Sequence, residues 1–99
     1  MKELLENLNK AFESKARLGI MSVLMVNDQM DFNSLKELLN LTDGNLASHL
    51  RALEEQNYIA VQKQFVGRKP NTTYQATDEG KKAFNEHLKA LEMLIKGNL

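Results

Sequence analysis

Two amphipathic segments meet across just two residues, Leu41-Thr42, and directly behind them the hydrophobic pattern switches from helical spacing to alternation. So short a junction leaves the chain little freedom, because two helices joined this closely must turn sharply on one another. Both starts are marked. Asp31 is placed to cap a helix over 32–40, with Met30 and Leu35 flanking the cap as a hydrophobic staple. Thr42 is placed to cap a helix over 43–56, with Leu41 and Leu46 in the same relation. This is the helix-turn-helix pattern.

The remainder is organised around that pair. Leu4, Leu5, Leu8, Ala11 and Phe12 share one stripe at helical spacing. Ser14 offers a cap for the apolar segment 16–26, and the sequence leaves open whether the two helices merge across it; Asn27-Asp28-Gln29 reads as a break. Residues 58–66 and 72–76 alternate and are rich in strand formers, with the turn-rich connector Gly67-Arg68-Lys69-Pro70-Asn71 between them, so the unit reads as a β-hairpin. Thr77 caps a last helix to about Lys96, with Asp78 and Glu79 at its positive dipole end. The expected fold is mostly α with a small β-hairpin, in the order α-α-α-β-β-α with an extra N-terminal helical segment. At 99 residues it forms a single domain over 1–99.

Composition removes several functions. Hydrophobic residues make up 42% and charged ones 26%, a globular balance that argues against disorder. There is no cysteine, which excludes disulfides, thiolate metal sites and cysteine nucleophiles. No apolar run approaches a membrane span, and the start, Met1-Lys2-Glu3-Leu4-Leu5-Glu6, is too charged for a signal peptide. A cytoplasmic setting without membrane contact is therefore expected. His49 and His87 fall in different helices without metal-ligand spacing, and adjacent Ser48 and His49 point apart on a helix. No glycine-rich phosphate loop is present, and Met21, Met25, Met30 and Met93 read as core fillers. No catalysis, cofactor or metal is expected.

A helix-turn-helix followed at once by a hairpin is the plan of a winged helix. The segment Leu41-Thr42-Asp43-Gly44-Asn45-Leu46-Ala47-Ser48-His49-Leu50-Arg51-Ala52-Leu53-Glu54-Glu55 resembles the recognition-helix region of small bacterial winged-helix transcriptional regulators, the MarR-like and ArsR-like groups. The wing Gly67-Arg68-Lys69-Pro70-Asn71-Thr72-Thr73-Tyr74 is similar to theirs, as is Thr77-Asp78-Glu79-Gly80. The resemblance spans about residues 14–96. Ala76 departs from it, standing where a leucine commonly precedes the Thr-x-x-Gly. The cysteine and histidine clusters of metal-sensing ArsR-like repressors are missing, so metal sensing is not implied. What the resemblance implies is a transcriptional regulator that binds double-stranded DNA.

The residues of the 43–56 helix support that reading by themselves. At about 100° per residue, Leu46, Leu50 and Leu53 share a narrow sector that must face the core. The opposite side then carries Gly44, Ser48, Arg51, Ala52 and Glu55, with Asn45 and His49 on its flanks. Small and polar side chains suit close approach to a major groove, so Gly44, Asn45, Ser48, His49 and Arg51 are expected at base edges, while His49, which flanks the leucine face, reads also as a packing or helix-surface residue with phosphate contact as its second role. From Ile59 to Ala76 the chain carries Lys63, Arg68 and Lys69 and no acid, a local charge of +3 that leaves −3 elsewhere in a chain of zero net charge. Lys63, Arg68 and Lys69, with Thr42 and Lys36, are expected at the DNA backbone, the wing tip straddling a phosphate or entering the minor groove. Lys15 and Arg17 are further backbone candidates.

The ends argue for a partner. A core of three helices and a wing needs about 60–65 residues, and a chain this small buries only about 60–65% of its surface. Leu4, Leu8 and Phe12 at one end and Phe84, Leu88, Leu91 and Ile95 at the other are expected to form a homodimer seam, with 1–13 and 77–99 as dimerisation helices. His87, near Phe84 and Leu88, is expected to border that seam. Neutral net charge and the acids Asp43, Glu54 and Glu55 keep one alternative open, a winged-helix module that binds another protein and no DNA.

Overall fold

Each principal helix starts where a short polar side chain accepts a hydrogen bond from a backbone N–H that the helix itself leaves free. In the computed structural model, which describes residues 1–97, Ser14 Oγ accepts from Arg17 N (3.3 Å) and opens α2, Lys15–Val26. Asp31 Oδ1 accepts from Ser34 N (3.3 Å) and opens α3, Phe32–Leu39. Thr42 Oγ1 accepts from Asn45 N (3.2 Å) and opens α4, Asp43–Glu55. Thr77 Oγ1 accepts from Gly80 N (2.9 Å) and opens α5, Asp78–Ile95. These starts match the caps read from the sequence. Between α3 and α4 the chain turns at Asn40, whose left-handed φ of 52° ends α3.

The N-terminal stripe is not one helix. A short α1, Lys2–Glu6, ends at Asn7, and a 3₁₀ turn, Lys10–Phe12, follows. Asn9 Oδ1 accepts from Ala11 N (2.9 Å) and caps that turn, so the helices do not merge across Ser14.

Strands β2, Ile59–Val66, and β3, Lys69–Ala76, form the hairpin. A two-residue strand β1, Met30–Asp31, adds a third member that the sequence did not advertise. The antiparallel order is β1-β3-β2, with Met30 opposite Tyr74 and Asp31 opposite Thr73. The hairpin turn is tighter than the connector read from the sequence. Only Gly67 and Arg68 lie between the strands, while Lys69, Pro70 and Asn71 pair with Val66, Phe65 and Gln64. Gly67 has φ +66° and Arg68 does not share the positive region, the combination of a type II′ turn. Pro70 sits where β3 has a neighbour on one side only, since β1 reaches no further than Thr73; a proline is tolerated at such an edge.

Leu46, Leu50 and Leu53 of α4 pack with Ile20, Met21 and Leu24 of α2, Leu35 of α3 and Ile59 of β2 in one core. Phe12 closes it from the N-terminal side. Its ring lies 5.3 Å from Tyr58, stacked, and 5.1 Å from Phe84, edge-on. The corner between α4 and β2 is tied to the start of α5: Thr77 N donates to Tyr58 O (3.0 Å) and Thr77 Oγ1 to Asn57 O (2.8 Å). That approach explains the glycine of Thr77-Asp78-Glu79-Gly80, because a Cβ at Gly80 would stand 2.0 Å from Tyr58 O. Ala76, the departure noted above, is buried in the same region.

Among the described residues there are thus five α-helices, one 3₁₀ turn and a three-stranded sheet, the mostly helical winged arrangement expected. None of those helices is long and apolar enough to cross a membrane. The extents are 56 × 25 × 21 Å, and the radius of gyration, 14.9 Å, exceeds the roughly 13 Å of a compact chain of this length.

Candidate nucleic-acid interface

Burial of Leu46, Leu50 and Leu53, each at most 2% exposed, fixes how α4 is rotated about its axis. Gly44, Asn45, Ser48 and Arg51 are consequently exposed on its outer side. Thr42 at the head of α4 is exposed too, with its hydroxyl oxygen engaged as the cap.

The two flanks of this helix differ. On one, Ala47, Arg51 and Glu54 line a groove with Val61 and Lys63 of β2 and Tyr74 of β3. Arg51 and Lys63 thereby join the helix face to the wing. Tyr74, which the sequence reading did not single out, is half-buried in this groove, and its phenol titrates above the usual range. Burial is the main cause, and the charge of Glu54 adds to it.

On the other flank the fold uses residues that the sequence reading gave to DNA. Arg17 Nε donates to Ala11 O (2.6 Å), and Arg17 Nη1 lies 3.1 Å from His49 Nδ1. His49 is half-buried and turned toward the body of the molecule, unlike the other four residues expected at base edges. In that position it braces α4 against α2, in line with the packing reading of this residue. Arg17 is committed to the same brace. Lys36 Nζ pairs with Asp43 Oδ1 at 2.8 Å, with both side chains open to solvent. That pair also neutralises the acid nearest the head of α4.

The hairpin carries Lys63, Arg68 and Lys69, all exposed, on strands without a single acid. Its outer end is also apolar on the surface, with Phe65 74% and Val66 63% exposed.

The terminal stripes divide. Phe12 and Phe84 are corrected from seam residues to core residues, since each is 2% exposed within its own chain. Leu4, Leu8 and Leu91 are half-buried; Leu88 and Ile95 are exposed. Residues 98–99, the end of the 77–99 segment, lie outside the described residues. His87 does not border a free surface. It is buried and its Nδ1 accepts from Asn9 N at 2.9 Å, while Asn9 Nδ2 donates to the Tyr58 hydroxyl at 3.0 Å. Burial lowers the His87 pKa, and the nearby Glu13 carboxylate opposes this in part.

A family of winged helix DNA-binding domains matches residues 16–95 of the chain. An uncharacterized protein of Methanocaldococcus jannaschii is 37% identical over 87 residues, 88% of this chain and 95% of that protein. A transcriptional regulator homologue of Pyrococcus horikoshii OT3 superposes with a TM-score of 0.89 at 33% identity, covering 98% of this chain and 97% of its own. YusO from Bacillus subtilis gives a TM-score of 0.81 at 22% identity, covering 99% of this chain and 69% of its own, a likeness of fold alone. The Methanocaldococcus jannaschii and Pyrococcus horikoshii proteins are archaeal, so they do not carry the expectation of a bacterial type.

Proposed function

The chain belongs to the family of winged helix DNA-binding domains, and from that membership we propose that it binds a two-fold symmetric duplex as a homodimer. Family and structural neighbours are those of DNA-binding regulators, not enzymes. In the proposed complex α4 enters the major groove. Arg51, Asn45 and Ser48 reach base edges, and Gly44 allows close approach; Thr42, Lys63, Arg68 and Lys69 meet the backbone.

One observation carries this reading. A Cβ at Gly44 would meet nothing within 4 Å, and Gly44 does not adopt a positive φ. Gly44 is the second residue of α4, in its first turn, where alanine would restrict the unfolded chain more and fit without strain. Neither the backbone nor the packing of this chain asks for glycine, and in the proposed complex its small size lets the duplex come close to the head of the helix. The adjacent wing, with its +3 charge, supports a polyanion as the partner. The rival protein-binding reading rested partly on Asp43, whose charge Lys36 offsets.

The two-fold would be closed by the terminal segments, 1–13 and the helix after Thr77, through Leu4, Leu8, Leu88, Leu91 and Ile95. Such a dimer sets two α4 helices about 34 Å apart on one side of a duplex. Selection of bound sequences from a random duplex pool tests the proposal. Recovery of a palindrome with half-sites one helical turn apart supports it; recovery of no enriched sequence would refute sequence-specific recognition.

A further inference from the structure

Phe65 is the largest apolar side chain left exposed on this protein's hairpin, and its direction is set by the strand. Side chains alternate along β2, so Val61, Lys63 and Phe65 share one face of the sheet. That face is the one turned toward α4, because Val61 and Lys63 line the groove that Arg51 lines from the other side. Phe65 stands about 7 Å beyond Lys63 on the same side. Pro70 is its cross-strand partner, and the turn carrying Arg68 lies just past them.

Isolated exposed apolar residues are ordinary on protein surfaces. This one differs in its setting. It is 74% exposed near the end of a ribbon that carries three cations and no acid, so the ribbon suits a polyanion better than an apolar or cationic protein surface. We propose that the wing tip enters the minor groove with Phe65 as an apolar wedge against a base step, backed by Pro70 and anchored by Arg68 and Lys69 on the flanking phosphates. The inference rests on the DNA-binding reading above. Apolar wedges between base steps work by partial unstacking, which is easiest at flexible pyrimidine–purine steps. The site is therefore expected to carry a TA or CA/TG step where the tip lands, outside the bases that α4 touches.

The test uses full-length protein and the selected duplex, with 2-aminopurine placed in turn at each step flanking the half-site. Wild type is expected to raise the fluorescence at one position, reporting unstacking. Phe65→Ala is expected to abolish that rise and weaken binding roughly tenfold while leaving the salt slope unchanged, and Phe65→Leu to retain part of both effects. Replacing the flexible step by a stiff A-tract is expected to weaken wild type but not Phe65→Ala. If Phe65→Ala matches wild type in fluorescence and affinity, the wedge is refuted and the wing stays on the backbone. If wild type binds no duplex at all, the DNA-binding reading itself fails, a result distinguishable from loss of the wedge alone.

Discussion

Arg17 on α2 holds His49 on α4 through a contact of 3.1 Å between Nη1 and Nδ1, while its Nε donates to the carbonyl of Ala11. A guanidinium has no acceptor, so Nδ1 of His49 must accept and its Nε2 carries the hydrogen. One side chain thus links the N-terminal 3₁₀ turn, α2 and the helix proposed to read bases. Arg17→Met and His49→Ala should each lower stability, and their effects should not add. A double-mutant cycle by urea denaturation is expected to give a coupling of about 0.5–1.5 kcal/mol. Additive effects would mean that the two side chains act separately.

Gly44 separates stability from binding. With open space around its Cβ position and no left-handed backbone, Gly44→Ala should stabilise the free protein by about 0.4–1 kcal/mol. The same methyl group should weaken binding to the selected duplex. Denaturation and anisotropy titration on one sample check both signs. A variant that is more stable and binds as well as wild type would remove the argument that this glycine exists for a partner.

His87 gives the fold a pH dependence whose sign follows from its surroundings. Burial depresses its pKa below the ordinary 6.5, and protonating Nδ1 would break the bond from Asn9 N. The unfolded chain therefore binds the proton more readily than the folded one. Stability from this group is complete above about pH 6.5 and declines as pH falls through that value toward the lower folded pKa. Urea midpoints between pH 7.5 and 5 should fall for wild type, and His87→Gln should flatten the part of that fall due to this group. An identical pH profile in the variant would contradict it.

The proposed seam makes a separate demand. Leu88 and Ile95 are exposed on α5, so Ile95→Glu or Leu88→Glu should leave the monomer folded and dissociate the dimer in sedimentation equilibrium. A large loss of helical signal would instead place these residues in the fold of one chain. Dissociated protein should retain salt-sensitive non-specific binding and lose preference for palindromic over single half-sites.

The helix starts were legible in the sequence because Asp31, Thr42 and Thr77 each act on a backbone group three residues away. The leucine face of α4 was legible for the same reason, as a period within one element. Contacts between distant segments were not. A stripe such as Phe12 with Leu4 and Leu8 has the same pattern whether it packs on its own chain or on a second copy; only the rings of Tyr58 and Phe84 around Phe12 decide it. The contacts of Lys36 with Asp43 and of His49 with Arg17 likewise join separate elements, so no local pattern shows them. β1 went unseen because two residues, Met30 and Asp31, are too few to show alternation. The wing turn was overestimated because Pro70 reads as loop, although an edge position accommodates it in β3.

Equilibrium binding across a salt series tests most directly whether the outer side of α4 reads bases while the wing holds the backbone. Wild type, Arg51→Ala and Arg68→Ala are titrated against the selected duplex and a scrambled one. Arg51→Ala should lose about 1–3 kcal/mol on the selected duplex and little on the scrambled one. Arg68→Ala should weaken both alike and reduce the dependence of log K on log salt by about one unit. Unchanged affinity for both duplexes in both variants would contradict the assignment of this face to DNA.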